Sequence, residues 1–288
     1  MKSIATINFK GGVGKTTITW ILAKYLSDIE NKKVLVVDTD AQMSLTMAVS
    51  LEEESGSFQN EFGIWYNGKH KDKKDLLKAL EKYDQMQGGH FDFSIDSSFI
   101  YKMNDNLHFI PSVIALYWLE LDVFDREKVK HFIRALLGKI EHSSTKYDYV
   151  LFDCPPNFTA LSYSVLSCSS MVLIPINPDV FAATGIRLMI EGLSLRIEPW
   201  PNPKICIFMN KAKLRSNQLT QESLKYLNES KLVAKQKSQE GMKIVVSDNI
   251  IPERVDIKRA IPNSKFPKDF QIYFERLWND IKLVMEKK

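Results

Sequence analysis

Short apolar runs alternate along the chain with longer stretches whose apolar residues recur every three or four positions. The runs Ser3–Asn8, Lys33–Asp38, Asn106–Pro111, Asp148–Asp153, Ser170–Ile176 and Lys204–Asn210 read as strands. They are apolar nearly end to end, as strands covered on both faces of a parallel sheet are. Helical patterning covers Lys15–Asp28, Asp125–Ile140, Phe158–Ser167, Ala183–Ile197, Thr220–Asn228 and Lys268–Glu286. The alternation of strand and helix predicts an α/β fold, a doubly wound and mostly parallel sheet flanked by helices.

No Pro/Gly/Ser-rich linker and no composition shift divides the chain, so residues 1–288 read as a single domain. The stretch 51–106 fits the rhythm least. It mixes Glu52, Glu53 and Glu54 with Lys69, Lys71, Lys73, Lys74 and scattered aromatics. Such a pattern predicts a solvated helical insertion with charged faces.

Composition excludes some classes. With 44% hydrophobic and 26% charged residues over 288 positions, the chain is neither disordered nor fibrous. The 39 basic and 35 acidic side chains leave a net charge of +4. That bias is too weak to identify a nucleic-acid partner, which must be argued from where the charges sit. Cys154, Cys168 and Cys206 form no CxxC pair, so a reducing compartment is expected. The opening MKSIATINFKGG has no apolar signal core, and no stretch reaches the ~18 apolar residues of a bilayer span. A soluble, cytoplasmic protein is expected.

The strongest chemical signal is Lys10-Gly11-Gly12-Val13-Gly14-Lys15-Thr16-Thr17, set between a predicted strand and a predicted helix. Glycines there let the backbone wrap phosphates, and the amides and helix N-terminus supply positive potential. Lys15 is placed to reach the β- and γ-phosphates, Thr16 to coordinate Mg²⁺, and Thr17 to meet the α-phosphate. The common phosphate-loop pattern has glycine where this chain has Phe9, and a second lysine, Lys10, precedes the glycine pair. Lys15 already serves the phosphates of its own chain, so Lys10 is free to project toward the nucleotide of a partner protomer.

KGGVGKTT resembles the deviant Walker A box of the ParA/MinD class of P-loop ATPases. The resemblance continues in VLVVDTDAQ (Val34–Gln42), YVLFDCPP (Tyr149–Pro156), IPINPD (Ile174–Asp179), Phe208–Asn210 and IPERVDIKRA (Ile251–Ala260). It spans nearly the whole chain, most weakly over 51–106. Ala41 stands where the family carries proline.

The resemblance implies ATP and Mg²⁺ as cofactors. Asp38 would orient the attacking water and help hold the Mg²⁺ shell, with Asp40 and Gln42 completing that switch. Asp153 would bind Mg²⁺ through water. Lys10 would act in trans, like an arginine finger, in an ATP-dependent sandwich homodimer. Turnover would be slow alone and raised by a ParB-like or other cargo adaptor. Asn210 resembles the residue that reads adenine, or it simply ends its strand.

ParA proteins typically bind DNA without sequence preference, which implies a nucleoid-associated protein that positions a plasmid, chromosome or protein organelle. Candidate phosphate contacts are Lys211, Lys213 and Arg215, then Arg254, Lys258 and Arg259, with Arg187 and Arg196 in addition. Each cluster reads equally as a solvated face. A MinD-like membrane-positioning role is the alternative. However, Glu275, Asp280 and Glu286 dilute the positive face of the last helix, which reads better as packed on the sheet. The five histidines show no metal-ligand spacing, and the cysteines do not suit an iron–sulfur relative.

Overall fold

Strand β1 (Lys2–Thr6) lies inside an eight-stranded sheet. Beside it on one side run β5 (Tyr149–Asp153), β2 (Val34–Asp38), β4 (Leu107–Ile110) and β3 (Tyr101–Lys102). On the other side run β6 (Met171–Ile176), β7 (Lys204–Met209) and β10 (Ile244–Val246). Every pairing is parallel except β3 with β4. This computed structural model describes residues 1–50, 75–84, 99–120, 126–197, 204–216, 218–239, 242–254, 266 and 268–286.

Parallel neighbours need crossovers, and helices supply them. Helix α1 (Lys15–Lys24) runs on through a π-turn, Tyr25–Ile29, as its pattern predicts. Helices α4 (Arg126–His142), α5 (Ala160–Cys168), α6 (Ala182–Arg196) and α7 (Gln221–Gln239) follow the predicted positions. Thr159 caps α5 by accepting the Ser162 amide at 3.0 Å. Val34, Leu35, Val36 and Val37 are wholly buried, so β2 is covered on both faces.

Helix α8 (Gln271–Glu286) lays Phe274, Leu277, Trp278, Ile281 and Val284 onto the protein. Each such side chain contributes roughly 2 kcal/mol of burial. Its apolar stripe is therefore a packing face, as its mixed charges suggest.

Several elements depart from the pattern. Helix α7 runs well past Asn228, because Leu227, Ser230, Val233 and Ala234 continue its buried face. β10 and β3 are too short to show a period. The hairpin β8–β9 (Leu214–Arg215, Gln218–Leu219) and the 3₁₀ helix Ile114–Glu120 give no periodic signal either. Within 51–106, α2 (Ser44–Ser50) ends just before, α3 (Leu76–Asp84) is the helical part described, and β3 adds an antiparallel edge strand to the expected helical insertion. The basic run Lys69–Lys74 lies outside the described residues.

From β1 the sheet grows in both directions. The C-terminal ends of β1, β5, β2, β6 and β7 therefore share one edge. In such sheets ligands bind in the crevice outside those ends, where the winding reverses.

Candidate active site

Residues 7–14 leave β1 and wrap back to start α1 at Lys15. Within this loop Gly12 (φ 73°) and Gly14 (φ 89°) take left-handed backbone. A Cβ on Gly14 would also collide with the Asn210 side chain. Phe9 needs no such freedom. Its ring packs edge-on against Phe158 with centroids 4.6 Å apart, which accounts for a bulky residue where the common motif has glycine. Buried Asn8 anchors the loop, donating to the Pro175 carbonyl at 2.8 Å and accepting the Lys10 amide at 2.9 Å.

Lys15 is nearly buried, and desolvation lowers its pKa while Asp153 and Asp40 oppose the shift. Among the described residues its ammonium makes one long hydrogen bond, 3.5 Å, to the Lys10 carbonyl. Thr16 Oγ1 donates to Asp153 Oδ2 at 2.7 Å.

Asp38 and Asp153 end adjacent strands in register and are both buried. Asp38 Oδ2 accepts the Thr46 amide at 2.9 Å and its hydroxyl at 2.7 Å. Thr46 Oγ1 in turn accepts the Ser112 amide at 2.9 Å. Burial raises the Asp38 pKa to about 7 against the bonds from Thr46. Burial, then the charge of Asp38, raises that of Asp153 well above the usual carboxylate range. Asp40 is raised too, mainly by burial, and accepts the Gln42 amide at 2.9 Å.

The donor set suits a hard cation. Asp153 Oδ1 is buried with no hydrogen-bond partner among the described residues. An orphaned carboxylate oxygen of this kind is costly until a cation or water completes it. Among the described residues no group of three or more His, Cys, Asp or Glu forms a protein-only metal cage. Mg²⁺ does not ask for one, since it keeps waters and takes phosphate oxygens beside one or two carboxylates.

On the other flank, Asn210 Nδ2 donates to the Val13 carbonyl at 2.7 Å. A small pocket opens there, lined by Gly14, Thr17, Asn210, Lys211, Pro252, Glu253 and Arg254. A larger cleft, about 480 Å³ with its open mouth, lies across the loops after β2 and β5, floored by Asp40, Ala41 and Pro156.

The architecture and the loop recur in known proteins. A family model described as an AAA domain matches residues 1–207. The chromosome-partitioning ATPase Soj of Treponema pallidum is 26% identical over 207 residues, covering 72% of this chain and 68% of that one. The chain belongs to the ParA-type P-loop ATPases.

Solved structures give the same ParA-type architecture. A Borrelia burgdorferi plasmid partition protein bound to AMPPNP superposes with a TM-score of 0.70 at 24% identity, covering 98% of each chain. A Cyanothece McdA–ATP complex gives a TM-score of 0.71 at 21% identity, covering 98% of this chain and 96% of that one.

Two lysines of this ParA-type chain sit differently from expectation. Lys10 is not free: its ammonium pairs with Asp179 of the same chain and stacks 5.6 Å from the Phe181 ring centroid. Lys211, expected as a DNA contact, is half-exposed and turns its ammonium to the loop. It donates to the Gly12 carbonyl, beside the phosphate loop.

The other expected DNA contacts scatter. Lys213 and Arg215 are exposed at the β8–β9 hairpin, and Arg187 is exposed on α6. Arg254 holds its guanidinium 4.8 Å over the Phe270 ring. Lys258, Arg259 and the Arg196 side chain lie outside the described residues. Sequence reasoning missed Thr46, Ser112 and Pro252. Thr46 meets Asp38, and Ser112 meets Thr46 and the Asp40 carbonyl, only through folding, and Pro252 is brought near the loop by its bridge to Ala212.

Proposed function

We propose that this ParA-type chain works as one ATPase domain that binds Mg–ATP at the Lys10–Thr17 loop and hydrolyses it slowly alone. The convergence of Lys15, Thr16, Asp38 and Asp153 at one sheet edge carries this reading. Lys15 engages the β- and γ-phosphates. The amides of Gly11, Gly12, Val13 and Gly14, with Thr17, surround the remaining phosphate oxygens. Thr16, Asp38 and Asp153 hold Mg²⁺, which neutralises charge on the phosphates when bound. Asp38 also orients the attacking water, fixed by the two bonds from Thr46. Asn210 borders the base pocket.

ATP brings two copies together as a sandwich homodimer. Lys10 then exchanges Asp179 for the partner's nucleotide and stabilises charge there in trans. The dimer binds non-specific DNA through the exposed basic residues Lys213, Arg215 and Arg254, joined by Lys258 and Arg259, which lie outside the described residues. A ParB-like or other adaptor stimulates hydrolysis, and the cycle positions a plasmid, chromosome or protein organelle in the nucleoid-associated cytoplasm. The partition names of the relatives support this reading. No helix among the described residues is long and apolar enough to cross a membrane. The apolar face of α8 is already covered, which weighs against membrane anchoring through it.

The test is binding to random-sequence duplex DNA with ATP, ADP or no nucleotide across a salt series. ATP-only binding that weakens steeply with salt supports the reading, because phosphate contacts release counterions. Absence of binding in every state, with liposome binding in ATP, would replace it by the membrane-positioning role.

A further inference from the structure

Asn210 and Lys211 follow β7 directly, and both turn onto the phosphate loop. The Asn210 amide donates to the Val13 carbonyl at 2.7 Å, and the Lys211 ammonium donates to the Gly12 carbonyl. Two consecutive carbonyls of the loop are thus held by two consecutive side chains from a distant strand. Lys211 does this from left-handed backbone, φ 52°, which disfavours a lysine. Backbone of this kind persists where its surroundings over-determine it, and it concentrates at functional sites. The same residue lines the small pocket with Gly14, Thr17 and Pro252.

Peptide geometry says what the clamp does. In a trans peptide the carbonyl and the following N–H point in opposite directions. Holding the Gly12 carbonyl on Lys211 turns the Val13 N–H the other way. Holding the Val13 carbonyl on Asn210 does the same for the Gly14 N–H. Successive amides pointing to one side of a loop form an anion-binding concavity. A lysine ammonium behind them adds to its positive potential.

We propose that Lys211 is a positioning residue of the nucleotide site: together with Asn210 it pre-sets the loop amides for phosphate, and it makes no DNA contact. This rests on the phosphate-loop reading above. The clamp acts on the carbonyls of Gly12 and Val13 and not on a γ-phosphate contact, so it serves ATP and ADP alike. Pre-organisation of this kind lowers the ordering cost of binding.

The experiment titrates fluorescent ATP and ADP, with Mg²⁺ at fixed salt, into the wild type, Lys211→Met, Lys211→Arg and Lys211→Gly, with a thermal melt of each. Lys225→Met, on the exposed face of α7, controls for charge. Lys211→Met should weaken both nucleotides by the same factor, about tenfold for one charge-assisted hydrogen bond. Lys211→Arg should restore most of it. Lys211→Gly relaxes the backbone and still lacks the donor, so it must lose affinity too, even where the methionine variant folds poorly. Wild-type affinity in the methionine or glycine variant, or loss confined to ATP, would overturn the proposal while leaving the ATPase reading intact. A wild type that binds neither nucleotide would sink both.

Discussion

Asp38 and Asp153 stand opposite each other at the ends of β2 and β5, register partners buried from solvent, with one oxygen of Asp153 lacking any hydrogen bond among the described residues. Two carboxylates this close and this dry do not both stay ionised without a cation.

That pairing sets a pH dependence. An unfolded aspartate releases its proton near 3.8, whereas folded Asp38 holds it to about 7. The stability this proton contributes is complete below pH 4 and is lost as pH rises toward 7. In Mg²⁺-free buffer the melting temperature should therefore fall across that window. Asp38→Asn should lessen the fall, leaving the part that buried Asp153 and Asp40 contribute, and Mg²⁺ should raise the melting temperature at pH 8 by binding the ionised pair. A melting temperature that climbs with pH through the window, unchanged in Asp38→Asn, would contradict this.

Phe9 offers a test of the loop's departure from the common glycine. Its contact with Phe158 belongs to packing and not to phosphate binding. Phe9→Gly should cost about 2 kcal/mol, part of the loss for a fully buried phenylalanine plus added backbone freedom. Urea unfolding measures the cost. ATP affinity should not improve, and a clear gain on restoring glycine would show that the ring obstructs the site.

Lys15 pays for its position in stability. Burial lowers its pKa, so the folded state holds the charge less willingly than water does. Lys15→Met should keep or raise the melting temperature while nucleotide binding is lost. Calorimetric titration with Mg–ATP checks this, and normal binding in that variant would undo the phosphate-loop assignment.

Much of this site was legible from residues alone because its parts are local. Lys10–Thr17 is one string between a strand and a helix, and Asp38 and Asp153 each end an apolar run. The buried strands were equally plain, since double-sided burial leaves unbroken apolar segments. What the sequence hid is non-local or short. Thr46 reaches Asp38, and Ser112 reaches Thr46, only after α2 and the turn after β4 fold together. Lys211 looked like one member of a basic run, and only folding sets its ammonium on the Gly12 carbonyl. The pairing of Lys10 with Asp179 joins residues 169 positions apart, which no spacing rule detects. β3 and β10 are too short for a period to register.

The central claim is an ATP-driven dimer built on this edge, and sedimentation of Asp38→Ala tests it most directly. That variant should bind ATP, hydrolyse it poorly and accumulate in the nucleotide-bound state. With ATP and Mg²⁺ it should sediment as a dimer, and with ADP or no nucleotide as a monomer. A monomer in all three conditions, or a dimer indifferent to nucleotide, would contradict the account.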